Sequence, residues 1–137
     1  MDLMKSMAVS ASGLKAQSAR MRVISENIAN AQSVAVSAGA DPYRRKIITF
    51  ANELDKATGA NTVTVKSVDE DSSAFNKRYD PGHPAANSAG YVVMPNVNSL
   101  IEMMDMRQAQ RSYEANLNTI ESAKQMMMRT VSLLQNQ

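Results

Sequence analysis

Apolar positions repeat in sevens over the C-terminal stretch from Val97 to Leu134. They form two columns, which are Met103, Gln110, Leu117, Lys124 and Val131, and Met106, Tyr113, Ile120, Met127 and Leu134. Alternating spacings of three and four residues are typical of a coiled-coil seam. No Pro or Gly follows Pro95, so we predict one uninterrupted helix with Asn96 as its N-cap and a capping box over Ser99–Glu102.

This predicted helix would be roughly 55 Å long. It carries a further apolar row beside the two columns, at Val97, Leu100, Ile101 and Met104. A helix cannot cover its own seam, and each Leu, Ile or Met gains about 1.5–3 kcal/mol only when a partner buries it. That partner is either another helix of the same bundle or another chain, and the periodicity fits both.

Residues 3–30 have the same periodicity and predict a second helix. One column holds Met7, Leu14, Met21 and Ile28, and the alternate row holds Leu3, Ala11, Ser18 and Ile24 or Ser25. Gly13 either permits close approach of another backbone or is tolerated at a cost of about 1 kcal/mol. The pattern predicts a mainly α fold, in which the long N- and C-terminal helices pair as an antiparallel coiled coil around a small β-containing middle insertion.

The middle of the chain contains short β-branched stretches separated by turns. The predicted strands are Lys46–Phe50, Thr62–Lys66, Ala74–Tyr79 and Tyr91–Met94, with a turn at Thr58–Asn61. Large apolar residues are few here, so we expect a thin sheet that depends on the helices for its core. The chain is thereby divided into an N-terminal helical part (1–33), a small β-rich segment (34–95) and a C-terminal helical part (96–137).

Charge and hydropathy exclude several classes of function. The net charge is only +2, and a basic run of three residues, Arg44-Arg45-Lys46, is too short to hold a phosphate backbone, so no nucleic-acid partner is expected. No apolar run approaches about 18 residues, so direct membrane insertion is not expected. Met7–Val9 is too short for the apolar region of a signal peptide, which predicts a cytoplasmic protein by the standard route.

Candidate reaction chemistry is sparse. His83 is the single histidine and lies in a predicted turn between Gly82 and Pro84, and cysteine is absent. Asp69-Glu70-Asp71 lacks the Gly and the distal Glu of an EF-hand loop, and is better explained as a solvated connector. Arg44 and Arg45 either dock carboxylates of a neighbouring subunit or form a solvated strand edge, and the pattern favours the second. We predict no catalytic, cofactor-binding or metal-binding residues, and no enzyme.

Three stretches resemble a known family. Residues 16–31 end in Asn27-Ile28-Ala29-Asn30-Ala31, and Pro42-Tyr43-Arg44-Arg45-Lys46 follows. Tyr79-Asp80-Pro81-Gly82-His83-Pro84 is followed by Gly90-Tyr91-Val92-Val93-Met94-Pro95-Asn96-Val97 and by Arg111-Ser112-Tyr113-Glu114-Ala115-Asn116. In this order, they resemble the FlgC family, the proximal rod proteins of the bacterial flagellar basal body, within the wider flagellar axial rod and hook protein family.

The resemblance implies a structural rod subunit, not an enzyme. In the family the terminal helices form the inner tube and the middle part is the outer segment, so this chain would assemble helically into a hollow drive shaft. The implied partners are other copies, the rod proteins FlgB, FlgF and FlgG, FliE and the MS ring. The implied route is the flagellar type III export apparatus without a cleaved signal peptide, and the implied location is the rod in the periplasmic space.

From the apolar columns we predict the assembly interface. Its residues are Met7, Leu14, Met21, Ile28, Leu100, Met103, Met106, Tyr113, Leu117, Ile120, Met127, Val131 and Leu134. In a lone subunit these apolar rows would be exposed to solvent. We therefore expect the terminal helices to be poorly ordered in the free chain and to fold on assembly. The alternative is a coiled-coil adaptor or secretion-apparatus component without a flagellar role, which would form a discrete oligomer by itself.

Overall fold

A computed structural model describes residues 3–135. In chain order its elements are helix α1 (Leu3–Ala29), strands β1 (Lys46–Asp55), β2 (Ala60–Glu70), β3 (Asn76–Tyr79) and β4 (Tyr91–Met94), and helix α2 (Ser99–Gln135). The fold is mainly α with a small β part between the helices, as the sequence predicts. The predicted helical parts also include Met1, Asp2, Asn136 and Gln137, which lie outside the described residues.

Helix α2 begins two residues later than predicted, and its N-cap is Asn98. The Asn98 side-chain oxygen accepts hydrogen bonds from the N–H groups of Leu100 at 3.1 Å and Ile101 at 3.4 Å. Its main-chain oxygen accepts the first helical bond, from the Glu102 N–H at 3.0 Å. Asn98 thus satisfies donors that every helix leaves open in its first turn.

The predicted N-cap at Asn96 is therefore wrong, because the Asn96 side chain has other partners. Its oxygen accepts a hydrogen bond from the Arg45 N–H at 2.7 Å, and its amide donates to residues 71 and 73. The predicted capping box is also not formed. The Glu102 carboxylate binds Asn27 and Arg45 instead of turning back to the start of the helix.

The middle segment forms two separate two-stranded sheets, β1–β2 and β3–β4, where we expected one thin sheet. All four predicted strands are present, and β1 and β2 run further than predicted, to Asp55 and Glu70. The β1–β2 turn lies slightly earlier than expected: Asp55 accepts hydrogen bonds from the Ala57 N–H and the Thr58 hydroxyl. Gly59 follows with φ +63°, a conformation that glycine adopts readily.

Strands β3 and β4 are antiparallel, with Asn76 opposite Met94 and Tyr79 opposite Tyr91. The Tyr79 and Tyr91 rings meet edge to face at a centroid distance of 5.3 Å. Gly90 precedes β4 with φ +78°, and a Cβ atom there would come within 2.8 Å of the Tyr79 ring. Glycine is therefore required at this position by both the backbone angle and the ring.

The chain divides into two compact units. Unit 1 consists of residues 3–21, 49–67 and 107–135 of the described chain, and unit 2 of residues 22–48 and 68–106. Unit 2 has an apolar cluster of Ala85, Val92 and Met94, on which Val34 and Ala86 pack. Unit 1 has a thinner interior, because among the described residues its buried hydrophobic side chains are all alanines: Ala16, Ala60, Ala109 and Ala123.

Candidate functional site

One face of helix α2 is covered within the chain. It consists of buried and half-buried residues whose spacing alternates between four and three: Glu102, Met106, Ala109, Tyr113, Asn116, Ile120, Ala123 and Met127. Four residues of the second predicted column belong to this face, whereas the fifth, Leu134, is 71% exposed. The chain thus covers the second column over most of its length.

The first predicted column of α2 lies on the exposed side. Met103, Leu117 and Val131 are all exposed, as are Gln110 and Lys124 of the same column and Leu100 of the further apolar row. The covered face also contains Glu102, Ala109, Asn116 and Ala123, which are small or polar. Each of them directly precedes a residue of the first column. The first column therefore leaves large apolar side chains in contact with solvent.

Helix α1 has the same offset. All four residues of its predicted column, Met7, Leu14, Met21 and Ile28, are half-buried. In the alternate row, Ile24 is buried, as predicted, but Ala11 and Ser18 are exposed, and Ser10, Gln17 and the following Ala31 are covered instead. The Gln17 side-chain oxygen is buried, and among the described residues it has no hydrogen-bond donor.

Gly13 of α1 lies against α2 in unit 1. A Cβ atom at this position would come within 2.7 Å of the Asn116 amide nitrogen and 3.1 Å of its oxygen. A side chain at Gly13 would therefore displace Asn116. Of the two explanations that the sequence leaves open, the structure supports close approach, although the neighbour is a side chain and not a backbone.

Unit 2 contains a buried polar cluster centred on Asn27, which is only 1% exposed. The Asn27 amide donates to the Lys46 carbonyl at 2.9 Å and to the Glu102 carboxylate at 3.2 Å. Its oxygen accepts from the Lys46 N–H at 2.8 Å and from the Tyr43 hydroxyl at 2.9 Å. This side chain therefore makes all four of the hydrogen bonds that an asparagine can make.

The charged part of this polar cluster is an ion-paired triad. The Glu102 carboxylate is 1% exposed and accepts a hydrogen bond from Arg45 Nε at 2.6 Å, while Arg45 Nη1 lies 3.3 Å from Asp71. Burial works to lower the pKa of Arg45, but the hydrogen bonds and charges of Glu102 and Asp71 outweigh it and raise the pKa. Hydrogen bonds from Ser73, helped by Arg45, lower the pKa of Asp71. Charge and hydrogen bonding thus hold segment 43–46 to α2.

A more exposed ion pair extends the polar cluster along α1. Lys46 Nζ donates to the Glu26 carboxylate at 2.9 Å. This hydrogen bond and the opposite charge raise the pKa of Lys46 and lower the pKa of Glu26. Both side chains are about two-fifths exposed, so solvent screens their attraction more than it screens the buried Glu102–Arg45 pair.

The interpretation of Arg44 and Arg45 as a solvated strand edge is wrong, because both bind groups of their own chain. Arg44 donates to the carbonyl of Asp71 at 3.1 Å, and its guanidinium carbon lies 4.2 Å from the centre of the Phe75 ring. Arg45 pairs with Glu102 and Asp71 as described above. Neither guanidinium extends freely toward solvent to dock a neighbouring subunit.

The polar cluster binds and orients backbone, and its geometry offers no reactive group. The hydrogen-bonding groups of Asn27, Arg45 and Asn96 are used by partners inside unit 2. In residues 3–135, no group of three or more His, Cys, Asp or Glu side chains is placed to hold a metal ion. His83 Nδ1 accepts a hydrogen bond from the Ala85 N–H at 3.1 Å, so it supports the loop before β4.

Neither described helix combines the length and the hydropathy that a membrane span requires. The surface of α2 alternates exposed Leu, Met and Val with charged and amide side chains. What the structure offers for binding is therefore the exposed apolar side of the long helices, above all of α2.

Two family models match the chain at its ends. The model described as flagella basal body rod protein matches residues 7–36, and the model described as flagellar basal body rod FlgEFG protein C-terminal matches residues 88–133. These ranges contain most of α1 and α2, as well as Asn27, Asn96 and Glu102 of the polar cluster.

Curated relatives match over nearly the whole chain. The flagellar basal-body rod protein FlgC of Agrobacterium fabrum is 52% identical over 126 residues, which cover 92% of this chain and 91% of the relative. FlgC of Salmonella typhimurium is 41% identical over 97% of this chain and 98% of its own length, and FlgC of Bacillus subtilis is 38% identical over 97% and 99%.

These relatives are structural rod proteins, which agrees with the prediction that the chain is not an enzyme. The order of the motifs, the two long helices and the full-length identity all point to the same family. The chain belongs to the FlgC family and is a structural subunit of the rod in the basal body of the bacterial flagellum.

Proposed function

We propose that this rod subunit joins its neighbours through the exposed apolar side of its terminal helices. The subunits would assemble helically, with the helical parts 1–33 and 96–137 forming the wall of a hollow drive shaft and residues 34–95 forming the outer segment. The thin interior of unit 1 is the observation that carries this proposal. Its buried hydrophobic side chains are alanines, while Leu117, Val131 and Leu134 stay exposed.

The energetics favour a partner for these side chains. Burying a Leu, Val or Met side chain contributes about 1.5–3 kcal/mol, and an alanine contributes much less. In the free subunit most of this burial energy is missing along the end of α2. The side chains there are between 48% and 71% exposed: Met126, Met128, Val131, Leu133 and Leu134. Contact with a neighbouring subunit would recover it, and the prediction that the helices are less ordered in the free chain follows from the same deficit.

We further propose that α1 and α2 pair as an antiparallel coiled coil. Gly13 of α1 meets Asn116 of α2 in unit 1, and Asn27 of α1 meets Glu102 of α2 in unit 2. The step from Gly13 to Asn27 runs forward along α1, and the equal step from Asn116 to Glu102 runs backward along α2. Opposite steps of equal length are what antiparallel pairing requires, and the alternating covered positions fit a coiled-coil seam.

On this proposal the predicted interface residues have two roles. The half-buried ones hold the two helices of one subunit together: Met7, Leu14, Met21, Ile28, Met106, Tyr113, Ile120 and Met127. The exposed ones contact other subunits: Leu100, Met103, Leu117, Val131 and Leu134. A helical assembly that does not close needs such separate faces, since one patch of each subunit covers a different patch of the next.

Membership of the family supports the choice of partners. We propose that the subunit contacts other copies of itself, the rod proteins FlgB, FlgF and FlgG, and FliE and the MS ring at the base. We also propose that it passes through the flagellar type III export apparatus without a cleaved signal peptide and works in the periplasmic part of the rod.

The test compares two substitutions on exposed positions of α2. Leu117→Asp places a charge in the proposed contact, which costs several kcal/mol if the site becomes buried. Asn118→Asp places the same charge at the next residue, which is exposed and lies off the proposed contact column. Rod assembly is scored by isolating basal bodies and by swimming motility in cells that carry each variant as the sole copy.

We expect Leu117→Asp to abolish rod assembly and motility and Asn118→Asp to retain both. Ile120→Asp is less informative, because Ile120 is half-buried within its own subunit and its loss also disturbs folding. Normal rods with Leu117→Asp, at wild-type protein levels, would show that this face of α2 is not a subunit contact.

A further inference from the structure

Strand β3 has a free edge. On β4, the main-chain N–H of Tyr91 donates to the side-chain oxygen of Asn87 at 2.9 Å, and its carbonyl accepts from the Asn87 N–H at 2.9 Å. Tyr91 therefore exchanges no main-chain hydrogen bonds with Tyr79, the residue opposite it. Hydrogen-bonded and non-hydrogen-bonded pairs alternate in an antiparallel ladder, so Lys77 and Val93 are also a non-hydrogen-bonded pair. The N–H and C=O groups of Lys77 and Tyr79 thus point away from β4.

These four main-chain groups have no partner on their own side of the strand. Asp80, the next residue, donates its N–H to the Gly90 carbonyl at 2.9 Å, as the alternation requires. Within residues 3–135, no group outside the ladder bonds to the N–H or C=O of Lys77 or Tyr79. All four residues of β3 are exposed. The outer side of this strand therefore offers two donors and two acceptors at the spacing of a β-ladder.

An aromatic surface lies beside this free edge. Residues directly opposite each other share a face, so Tyr79 and Tyr91 lie on the same side of the sheet as Lys77 and Val93. Tyr79 is 64% exposed and Tyr91 is 42% exposed. Their edge-to-face contact holds the Tyr79 ring next to the edge, where it would pack on an apolar side chain of an added strand.

The charge of this sheet is positive. Its two strands carry two cations, Lys77 and Arg78, and no Asp or Glu. Within the part of the chain that the structure describes, Lys77 forms no ion pair, and Arg78 has a long contact of 3.7 Å with Asp80. Successive residues of a strand point to opposite faces, so an added strand would meet a positive charge on each of its faces.

We propose that the free edge of β3 binds an extended segment of a different chain, which adds to the sheet as a third strand and brings carboxylates opposite Lys77 and Arg78. Main-chain hydrogen bonds to Lys77 and Tyr79 would hold the segment, and its alternating side chains would give specificity. Opposite charges across a strand pair are favourable, and an apolar side chain suits the position beside Tyr79. This contact lies in the middle segment 34–95 and does not depend on the helix contacts proposed above.

A second copy of β3 fits this edge poorly. Two copies could pair antiparallel through their free edges, and only the register with Lys77 opposite Tyr79 uses both outward residues of each copy. That register places the two Arg78 side chains directly opposite each other, where like charges repel. Short edge strands with positive charges are a common means of preventing such self-pairing. The charges that exclude a second β3 are the ones that would attract an acidic segment.

The test measures binding of synthetic peptides to the full chain. The acidic peptide is Ser-Thr-Val-Glu-Glu-Val-Thr-Ser, which in antiparallel register brings Val opposite Tyr79 and the two Glu opposite Arg78 and Lys77. In the basic peptide both Glu are replaced by Lys. A third peptide has the acidic sequence with N-methyl groups on the two residues that face Lys77 and Tyr79, so it cannot donate hydrogen bonds to β3. NMR titration of the isotope-labelled chain gives Kd for each peptide at about 50 mM NaCl, where exposed charges are weakly screened.

Two variants at one position separate main-chain from side-chain binding. Lys77→Gln removes the charge and keeps the N–H. Lys77→Pro removes both, and the β3–β4 ladder tolerates it because this N–H points away from β4. The Asp80 amide donates to Gly90 within the ladder, so its slow exchange in each variant shows that the sheet is still formed.

We expect the acidic peptide to bind at least about fivefold more tightly than the basic peptide and at least about tenfold more tightly than the N-methylated one. Lys77→Gln should reduce the preference for the acidic peptide, whereas Lys77→Pro should abolish binding while the Asp80 amide stays protected. If Lys77→Pro disrupts the ladder, the N-methylated peptide makes the same distinction on the unaltered chain.

The proposal is overturned if the acidic peptide does not bind, or if the acidic and basic peptides bind equally. It is also overturned if N-methylation has no effect, since binding would then not use the strand edge, or if Lys77→Pro with an intact ladder binds as well as Lys77→Gln. Self-association of the unaltered chain that Lys77→Pro abolishes would assign the edge to a second copy instead. None of these outcomes depends on Leu117→Asp, which tests the helix contacts separately.

Discussion

Asn27 shows how single residues connect the helices to the middle segment. It is buried on α1, where its side chain binds Tyr43, Lys46 and Glu102. A buried polar residue is tolerated only when its partners are in place, so this one fixes how segment 43–46 lies on the helices. The role resembles the way a single buried Asn sets the register of a coiled coil.

At the residue scale, the buried ion pair should matter more than the exposed one. Glu102→Gln removes the charge that faces Arg45 and should lower the free energy of local opening by roughly 2–4 kcal/mol. Glu26→Gln is the matched control, because Glu26 also pairs with a cation but is two-fifths exposed, and its effect should be much smaller. Hydrogen exchange of the Arg45 and Lys46 amides measures both effects.

These two amides donate to the side chains of Asn96 and Asn27, so their exchange reports whether the polar cluster is intact. Equal acceleration of exchange by the two Glu→Gln substitutions would contradict the difference in burial on which this prediction depends.

The sequence drew attention to some residues of the polar cluster but not to their association, and it assigned Glu102 to a capping box and Asp71 to a solvated connector. Asn27, Tyr43 to Lys46 and Asn96 each lie in one of the stretches that carry the family resemblance. Their separation along the chain gives no sign that they meet, and the hydrogen-bond partners of a buried Asn or Arg depend on tertiary packing. For the same reason the sequence pattern favours a solvated edge for Arg44 and Arg45, because hydropathy alone does not separate a solvated cation from one that is paired in the interior.

At the scale of elements, the helices and strands were predictable because their signals are local. The heptad spacing predicts both helices, and β-branched residues or a two-residue alternation predict the four strands, with β4 at its observed bounds. Which side of each helix faces inward was harder to predict from the sequence. Ala109, Asn116 and Ala123 lie inward although they carry little hydrophobic signal, while the large Leu117 and Val131 lie outward. Hydropathy marks side chains that need a partner, and does not say whether the partner belongs to the same chain.

The two asparagines before α2 should respond differently to replacement. Asn98→Ala removes the N-cap and should destabilise the first turn by about 1 kcal/mol, which speeds exchange of the Leu100 and Ile101 amides. Asn96→Ala should leave those amides unchanged and speed exchange of the Arg45 amide, which loses its acceptor. The reverse pattern would restore Asn96 as the N-cap, as the sequence first suggested.

At the scale of the whole molecule, the distribution of apolar side chains suits a subunit of a larger assembly. Unit 2 buries Val92 and Met94 and has a saturated polar cluster, which are features of a unit with its own interior. Unit 1 buries alanines and leaves Leu, Met and Val exposed. Family membership establishes the rod as the assembly, and the exposed column of α2 is where we place the subunit contacts.

The measurement that tests this account most directly is thiol labelling of Leu117→Cys in the free chain and in assembled rods. The chain has no native cysteine, so the introduced thiol is the only one. Ala123→Cys, 2% exposed where α2 is folded, and Val36→Cys, 95% exposed in segment 34–95, give the slow and fast references. Leu117 is 41% exposed, so we predict that Leu117→Cys reacts at a rate between the two references in the free chain and at least about tenfold more slowly in rods, since burial excludes the reagent. Equally fast labelling of Leu117→Cys in rods and in the free chain would contradict the assignment of this helix face to subunit contacts.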